Sequence, residues 1–332
     1  MIEPFSKIKD KPHVYPFLHP SEVGKGMKRY LDYEPIEFAI SPDGKKWTSD
    51  YDVPDLTNIY CYSAPGVQPA TTSDNLRKVG LQDGSRLLST TYSTRELTMK
   101  LISYGNFNES DVMLGYDALQ RFLVSRDAYW ICFANWPHRM YYVKAKISAP
   151  TYTSMTGWSV DVTFTDLIGL SRSVGTTGDY ANMVLGFGNN EPLDRPQYQF
   201  TTNHFTVDNT SDVRIDPERR GHPFVLTLEG SSNGNMKITN KTTDEHVVRS
   251  GILLHDKDGK EVRENTNFSG KWVLNGVRKT LNGKSDNFHC SSGVLTLAKG
   301  PNEFQIDNFN GTVTFDYAEW WLSWLIYQQM PI

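Results

Sequence analysis

The sequence predicts a mainly β chain of two domains, on three observations. Apolar and polar residues alternate over long runs between 95 and 166. Asn-Gly and Asp-Gly turn dipeptides recur along the chain, and a Gly-, Asn- and Pro-rich stretch from about 170 to 197 separates two regions that can each close a core. The 332 residues suit two domains of ordinary size, and 38% hydrophobic against 22% charged residues excludes a disordered or fibrous chain.

The strands come first. Leu97, Met99 and Leu101 alternate with Glu96, Thr98 and Lys100; Tyr141, Val143, Ala145 and Ile147 with Tyr142, Lys144 and Lys146; Trp158, Val160, Val162 and Phe164 with Ser159, Asp161 and Thr163. Successive strand side chains point to opposite faces, so each run predicts a half-buried antiparallel strand. Between them one helix is expected over 110–124, capped by Asn108 or Ser110, with Val112, Tyr116, Leu119 and Leu123 as its buried stripe. Gly115 inside that helix costs about 1 kcal/mol against alanine, so a packing reason or a slight kink is expected there.

After the Gly- and Pro-rich stretch, short strands are expected at Phe224–Leu228, Met236–Ile238, Val294–Leu297, Phe304–Ile306 and Val313–Phe315. Turns are expected at Asp43-Gly44, Asp83-Gly84, Asn233-Gly234, Asp258-Gly259, Asn275-Gly276, Asn282-Gly283 and Asn310-Gly311. The organisation that follows is an N-terminal arm (1–35), a β domain (36–175) carrying the 110–124 helix, a linker (176–197) and a second β domain (198–332).

Several classes of function find no support. A formal net charge of −4, without a dense run of Lys and Arg, argues against nucleic-acid binding as a primary role. Lys7, Lys9, Lys11, Lys25, Lys28 and Arg29 give residues 1 to 30 a local positive balance, read as a solvated arm. Cys61, Cys132 and Cys290 are odd in number and widely spaced, so reduced, mostly buried thiols are expected. The N-terminus lacks the apolar core of a signal peptide and no run is long enough to span a membrane, so assembly in a cytosol is expected. No metal-ligand spacing, nucleophile elbow, phosphate loop or G-x-G-x-x-G motif is present, and the Asp256–Glu261 stretch has its glycine too early for a calcium loop. No enzyme activity, no cofactor and no metal is expected.

The C-terminus carries the one unusual concentration, with Trp320, Trp321, Leu322, Trp324, Leu325, Ile326 and Tyr327 within eight residues. One face of a short strand or helix cannot bury them all, so the segment is read as a packed end that is also a partner contact through Trp320, Trp321, Trp324 and Leu325.

Val79-Gly80-Leu81-Gln82-Asp83-Gly84 followed by Ser89-Thr90-Thr91-Tyr92-Ser93-Thr94-Arg95-Glu96-Leu97 resembles the N-terminal domain of siphophage distal tail proteins. The 110–124 helix, Trp130-Ile131-Cys132-Phe133 and Arg139-Met140-Tyr141-Tyr142-Val143 follow in the family's order. Phe205 to Asp212, Pro223 to Gly230 and Gly300 to Ile306 are similar to that family's C-terminal domain. The resemblance implies an N-terminal antiparallel β-sandwich with one packed α-helix and a C-terminal galectin-like sandwich of jelly-roll type. It further implies a homohexameric ring in the virion, at the distal end of a long non-contractile tail. The partners implied are further copies of the chain, a tail tube protein above, a tail-associated lysin or baseplate hub protein below and a receptor-binding protein, with DNA only passing through the lumen and no membrane. Neither galectin sugar-binding strand, H-x-N-P-R or W-x-x-E-x-R, stands in this sequence, so no sugar-binding residue is carried over. The alternative reading is a carbohydrate-binding β-sandwich module for cell-wall or host saccharides.

Overall fold

The computed structural model of the chain describes residues 2–8, 11, 35–65, 69–81, 83–103, 108–182, 197–255 and 257–322. The chain is mainly β and divides at Val174 and Gly175 into two compact units.

In the first unit the elements run β1 (Phe38–Ser41), β2 (Thr48–Ser49), β3 (Ile59–Ser63), β4 (Thr72–Arg77), β5 (Arg86–Tyr92), β6 (Arg95–Ser103), α1 (Glu109–Leu123), β7 (Tyr129–Phe133), β8 (Arg139–Ile147), β9 (Thr151–Ser154), β10 (Gly157–Asp166) and β11 (Ser171–Ser173). An antiparallel path β2-β1-β7-β8-β10-β6-β3 carries β9 beside β10 and β11 beside β8, while β4 and β5 pair only with each other. The expected alternation holds: Leu97, Met99 and Leu101 are buried on β6 opposite Phe164, Val162 and Val160 on β10. Their shared face meets α1, whose Val112, Leu119 and Leu123 complete the core. Asn108 caps the helix by accepting from the Asp111 N–H at 3.0 Å. Tyr116 sits edge-on to Trp158 at 5.8 Å and donates its hydroxyl to the Ser148 carbonyl at 2.8 Å, which ties the helix to the sheet.

The opposite face of β7 and β8 holds a second cluster of Trp130, Cys132, Met140 and Val174, against which Ile2 and Phe5 pack. Every residue of β7 is therefore buried, and its unbroken apolar run has no period for a sequence reading to find. The solvated-arm expectation is corrected at Ser6 and Lys11, whereas Lys7 is exposed as expected and Lys9, Lys25, Lys28 and Arg29 lie outside the described residues. Ser6 is buried, its N–H donates to Glu37 Oε1 and its hydroxyl to Asp52 Oδ1, both at 2.6 Å, and Lys11 pairs with Glu37. A buried carboxylate needs such donors, and the arm supplies them.

Arg95 and Asp166 close the β6–β10 pair with a buried ion pair, and Asp166 Oδ1 also accepts from the Ile168 and Gly169 N–H groups at 3.2 Å each. Gly169 has φ +74, and a Cβ there would lie 2.1 Å from the Ser93 carbonyl oxygen, so only glycine fits.

The second unit contains β12 (Gln199–Phe200), β13 (His204–Asn209), β14 (Phe224–Ser232), β15 (Lys237–Asn240), β16 (Glu245–Val248), β17 (Leu253–His255), β18 (Glu261–Arg263), β19 (Phe268–Asn275), β20 (Arg278–Leu281), β21 (Lys284–Ser285), β22 (Gly300–Asp307), β23 (Asn310–Tyr317) and β24 (Trp320–Trp321). One antiparallel sheet runs β12-β23-β14-β19-β20-β21 and a second β13-β22-β15-β16. Aromatic residues join them: Phe304 of β22 lies edge-on to Phe315 of β23 at 5.0 Å, and Phe200 stacks on Phe205 at 4.3 Å. Arg249 makes a two-armed pair with Asp286 at 2.8 and 3.1 Å, and Trp272 Nε1 donates to the same carboxylate at 3.0 Å. Residues 177–182 form a 3₁₀ turn whose Thr177 hydroxyl donates to the Phe315 carbonyl, so the start of the expected linker is tied into this unit.

Two expectations in this unit are corrected. Val294–Leu297 is not a strand; Leu297 makes a single bridge with Ile215. Asn310-Gly311 is not the turn before β23, because Asn308 with φ +58 supplies it. Gly311 instead lies inside β23 opposite Gly230, where a Cβ on Gly230 would meet the Gly311 Cα at 2.7 Å. Glycine serves close strand approach there.

Candidate functional site

The aromatic C-terminus is packed as far as it is described. Trp320 and Trp321 are 3% and 1% exposed. The Trp320 N–H donates to Ser211 Oγ at 3.2 Å, its carbonyl accepts from the Asp212 N–H at 2.9 Å, and its indole lies 4.9 Å from the His222 ring. Trp324 and Leu325 lie outside the described residues.

Among the described residues the β4–β5 hairpin forms a long unburied stretch. Every described residue from 71 to 89 is exposed, with Leu76 at 59% and Leu81 at 104%. Register places Leu76 opposite Leu87 and Arg77 opposite Arg86, and a bulge after Asn75 leaves Leu88 unpaired. A two-stranded hairpin with no core beneath it is marginal in water, so packing against another surface is what gives such a hairpin stability. From the sequence, the Asp83-Gly84 turn marks this hairpin's loop, while its two strands are picked out only by the family resemblance. Strands exposed on both faces carry no hydrophobic alternation that could have flagged them.

A second feature lies along α1. An open groove of about 480 Å³ is lined by Asp55, Thr57, Asn58, Asp111, Leu114, Gly115, Ala118 and Arg121. Arg121 pairs with Asp117 and also feels the Asp55 charge, so the groove carries the carboxylates of Asp55 and Asp111 beside one cation that Asp117 already offsets.

Neither a family model nor a curated protein matches the sequence at a significant level. Among solved structures the chain is similar to the Dit protein of phage SPP1, described as a paradigm of the hub adsorption apparatus in phages that infect Gram-positive bacteria. That match has a TM-score of 0.54 at 15% identity and covers 85% of this chain and 98% of the other. The chain shares its overall fold with that protein. Two structures of the phage P2 baseplate in its activated conformation, with Ca and with Sr, align with 86% of this chain at 9% and 10% identity. They cover 97% and 98% of their own chains, with TM-scores of 0.33 and 0.32.

The three thiols are held protonated. Burial pushes the Cys61 thiol up to about 12 and the Cys132 thiol higher still; burial first, and then the Asp286 charge, raise Cys290 to about 12. All three cysteines are free, and as protonated thiols they are poor nucleophiles. Among the described residues no cluster of His, Cys, Asp and Glu is arranged to hold a metal ion, and no helix is long and apolar enough to cross a membrane.

Proposed function

We propose that this chain is a structural protein of a bacteriophage tail. In this reading it forms a homohexameric ring at the distal end of a long non-contractile tail and joins the tail tube to the tail tip and the host-adhesion proteins. The observation that carries the proposal is the fold match that takes in 98% of a phage hub protein and 85% of this chain. The order of the sequence segments that resemble distal tail proteins supports it independently, as does a hairpin whose apolar residues have no cover within the described residues.

In this assembly the N-terminal units form the ring and the C-terminal units, galectin-like in the family's manner, face outward. The tube lies above the ring and a tail-associated lysin or baseplate hub protein below it. A receptor-binding protein attaches at the periphery, and DNA only transits the lumen. The protein acts mechanically, without catalysis or cofactor, and is assembled in the host cytoplasm. Trp320 and Trp321 provide the packed part of the aromatic end, while Trp324 and Leu325 extend it as a contact for a tail partner. Electron microscopy of the purified protein, alone and with the tube protein, tests the reading; particles without rotational symmetry under both conditions would exclude it.

One observation favours a second reading. Phe288 is 89% exposed on the C-terminal unit, beside the His289–Glu264 pair at 2.6 Å, an aromatic face with polar neighbours of the kind that stacks on sugars. A saccharide-binding module needs no ring. Oligomer size together with glycan binding that depends on Phe288 separates the two readings.

A further inference from the structure

The hairpin and the groove on α1 are complementary in a way that neither requires alone. On the hairpin, Arg77 and Arg86 are directly opposite across the strands, with Lys78 beside them. Like charges in that position repel, and none of the three has an ion-pair partner among the described residues. Leu76 and Leu87 pair alongside them, and Leu81 stands clear of the tip. Asp83 is the one described acid of that loop, so against Arg77, Lys78 and Arg86 the hairpin end is apolar and on balance basic.

The groove offers the opposite. Asp55 and Asp111 both line it without ion-pair partners within 4 Å among the described residues, Leu114 adds an exposed apolar side chain, and Gly115 is a half-buried part of the same lining. That glycine is not explained by the fold of its own chain. It lies in the interior of α1 with ordinary helical backbone, and a Cβ would meet only Ile59 Cδ1, at 3.6 Å, an ordinary contact. Alanine would serve the helix better. Glycine leaves open the space that a side chain would take from the groove lining.

We propose that the β4–β5 hairpin of one copy docks into the α1 groove of a second copy, with Leu81 against Leu114 and Gly115 and the Arg77, Lys78 and Arg86 charges facing Asp55 and Asp111. Donor and acceptor are different surfaces of the same chain, so the contact is head-to-tail, the kind that propagates until a rotation closes it into a ring. The inference rests on the self-association in the proposed function and names the surfaces that would carry it.

The test uses the full chain. Leu81→Asp and Gly115→Trp are made separately, with folding checked by circular dichroism, and the mass of each is followed by light scattering over a concentration series. Arg77→Glu/Arg86→Glu is paired with Asp55→Arg/Asp111→Arg in a charge exchange. In a Cys290→Ser background, Leu81→Cys and Leu114→Cys proteins are mixed and oxidised, with a Leu81→Cys and Tyr152→Cys mixture as control. The expected result is association weakened by about 30-fold or more in each single-site variant. The charge-exchanged proteins should associate with each other though neither associates with itself, and a covalent heterodimer should form in the Leu81→Cys and Leu114→Cys mixture alone. Wild-type protein that associates while every folded variant associates equally well overturns the docking and leaves the hub reading standing. A wild-type chain that stays monomeric, with no more cross-link than the control, overturns both.

Discussion

Arg95 and Asp166 are register partners on β6 and β10, and their buried side chains meet with Nε 2.9 Å from Oδ2. Burial raises the Asp166 carboxyl above its ordinary range and Arg95 opposes that shift, so neither charge is tolerable without the other.

Removing one partner should therefore cost more than removing both. Arg95→Met is expected to destabilise the protein by about 3–5 kcal/mol, and Arg95→Met/Asp166→Asn by less than the sum of the single changes. Denaturant unfolding of the four proteins measures this; additive effects would show that the pair is not coupled.

Two glycines should respond in opposite directions. Gly115→Ala is expected to raise stability by up to about 1 kcal/mol, because the helix gains propensity and the added methyl makes an ordinary contact. Gly169→Ala forces a methyl to within 2.1 Å of the Ser93 carbonyl oxygen at φ +74, so it should lower the melting temperature sharply or prevent folding. Melting curves of the two variants suffice.

Acid should weaken the fold through His138. Burial holds its imidazole down to about 4, against about 6.5 in an unfolded chain, and burial lowers His222 in the same direction. Between those values the unfolded chain binds the proton and the folded one does not. The His138 contribution is therefore complete above about pH 6.5 and is lost progressively as pH falls toward 4. His138→Phe is expected to flatten the stability profile across that window and to leave the slope above it unchanged.

How far the sequence foretold this depends on whether burial left a period to read. On β6 and β10 one face is buried and the other is not, so Leu97 to Leu101 and Trp158 to Phe164 announce their strands. On β7 both faces are buried, and on β4 and β5 neither is; each case erases the alternation, so the hairpin proposed as an assembly surface showed in the sequence only through its Asp83-Gly84 turn and the resemblance. Asn310-Gly311 misled because glycine serves close strand packing as well as turns, and which use applies depends on the partner strand carrying Gly230. The groove at Gly115 shows up in the sequence only as a helix residue that costs stability, since its other wall, from Asp55 to Asn58, is remote along the chain.

The aromatic end separates packing from contact. Trp321→Ala empties a buried site and is expected to cost about 3–5 kcal/mol. Trp324→Ala is expected to leave the melting temperature unchanged and to weaken binding to a tail partner, read by co-sedimentation with tail tube or baseplate hub protein. Unaltered binding would remove Trp324 from the proposed contact.

The most direct test of the hub reading is the mass of the purified chain in solution, alone and mixed with its tail tube protein. A closed species of six copies of the 37.8 kDa chain is expected, seen as a ring with a central lumen in electron micrographs. A 37.8 kDa monomer at every concentration and in both mixtures would contradict it.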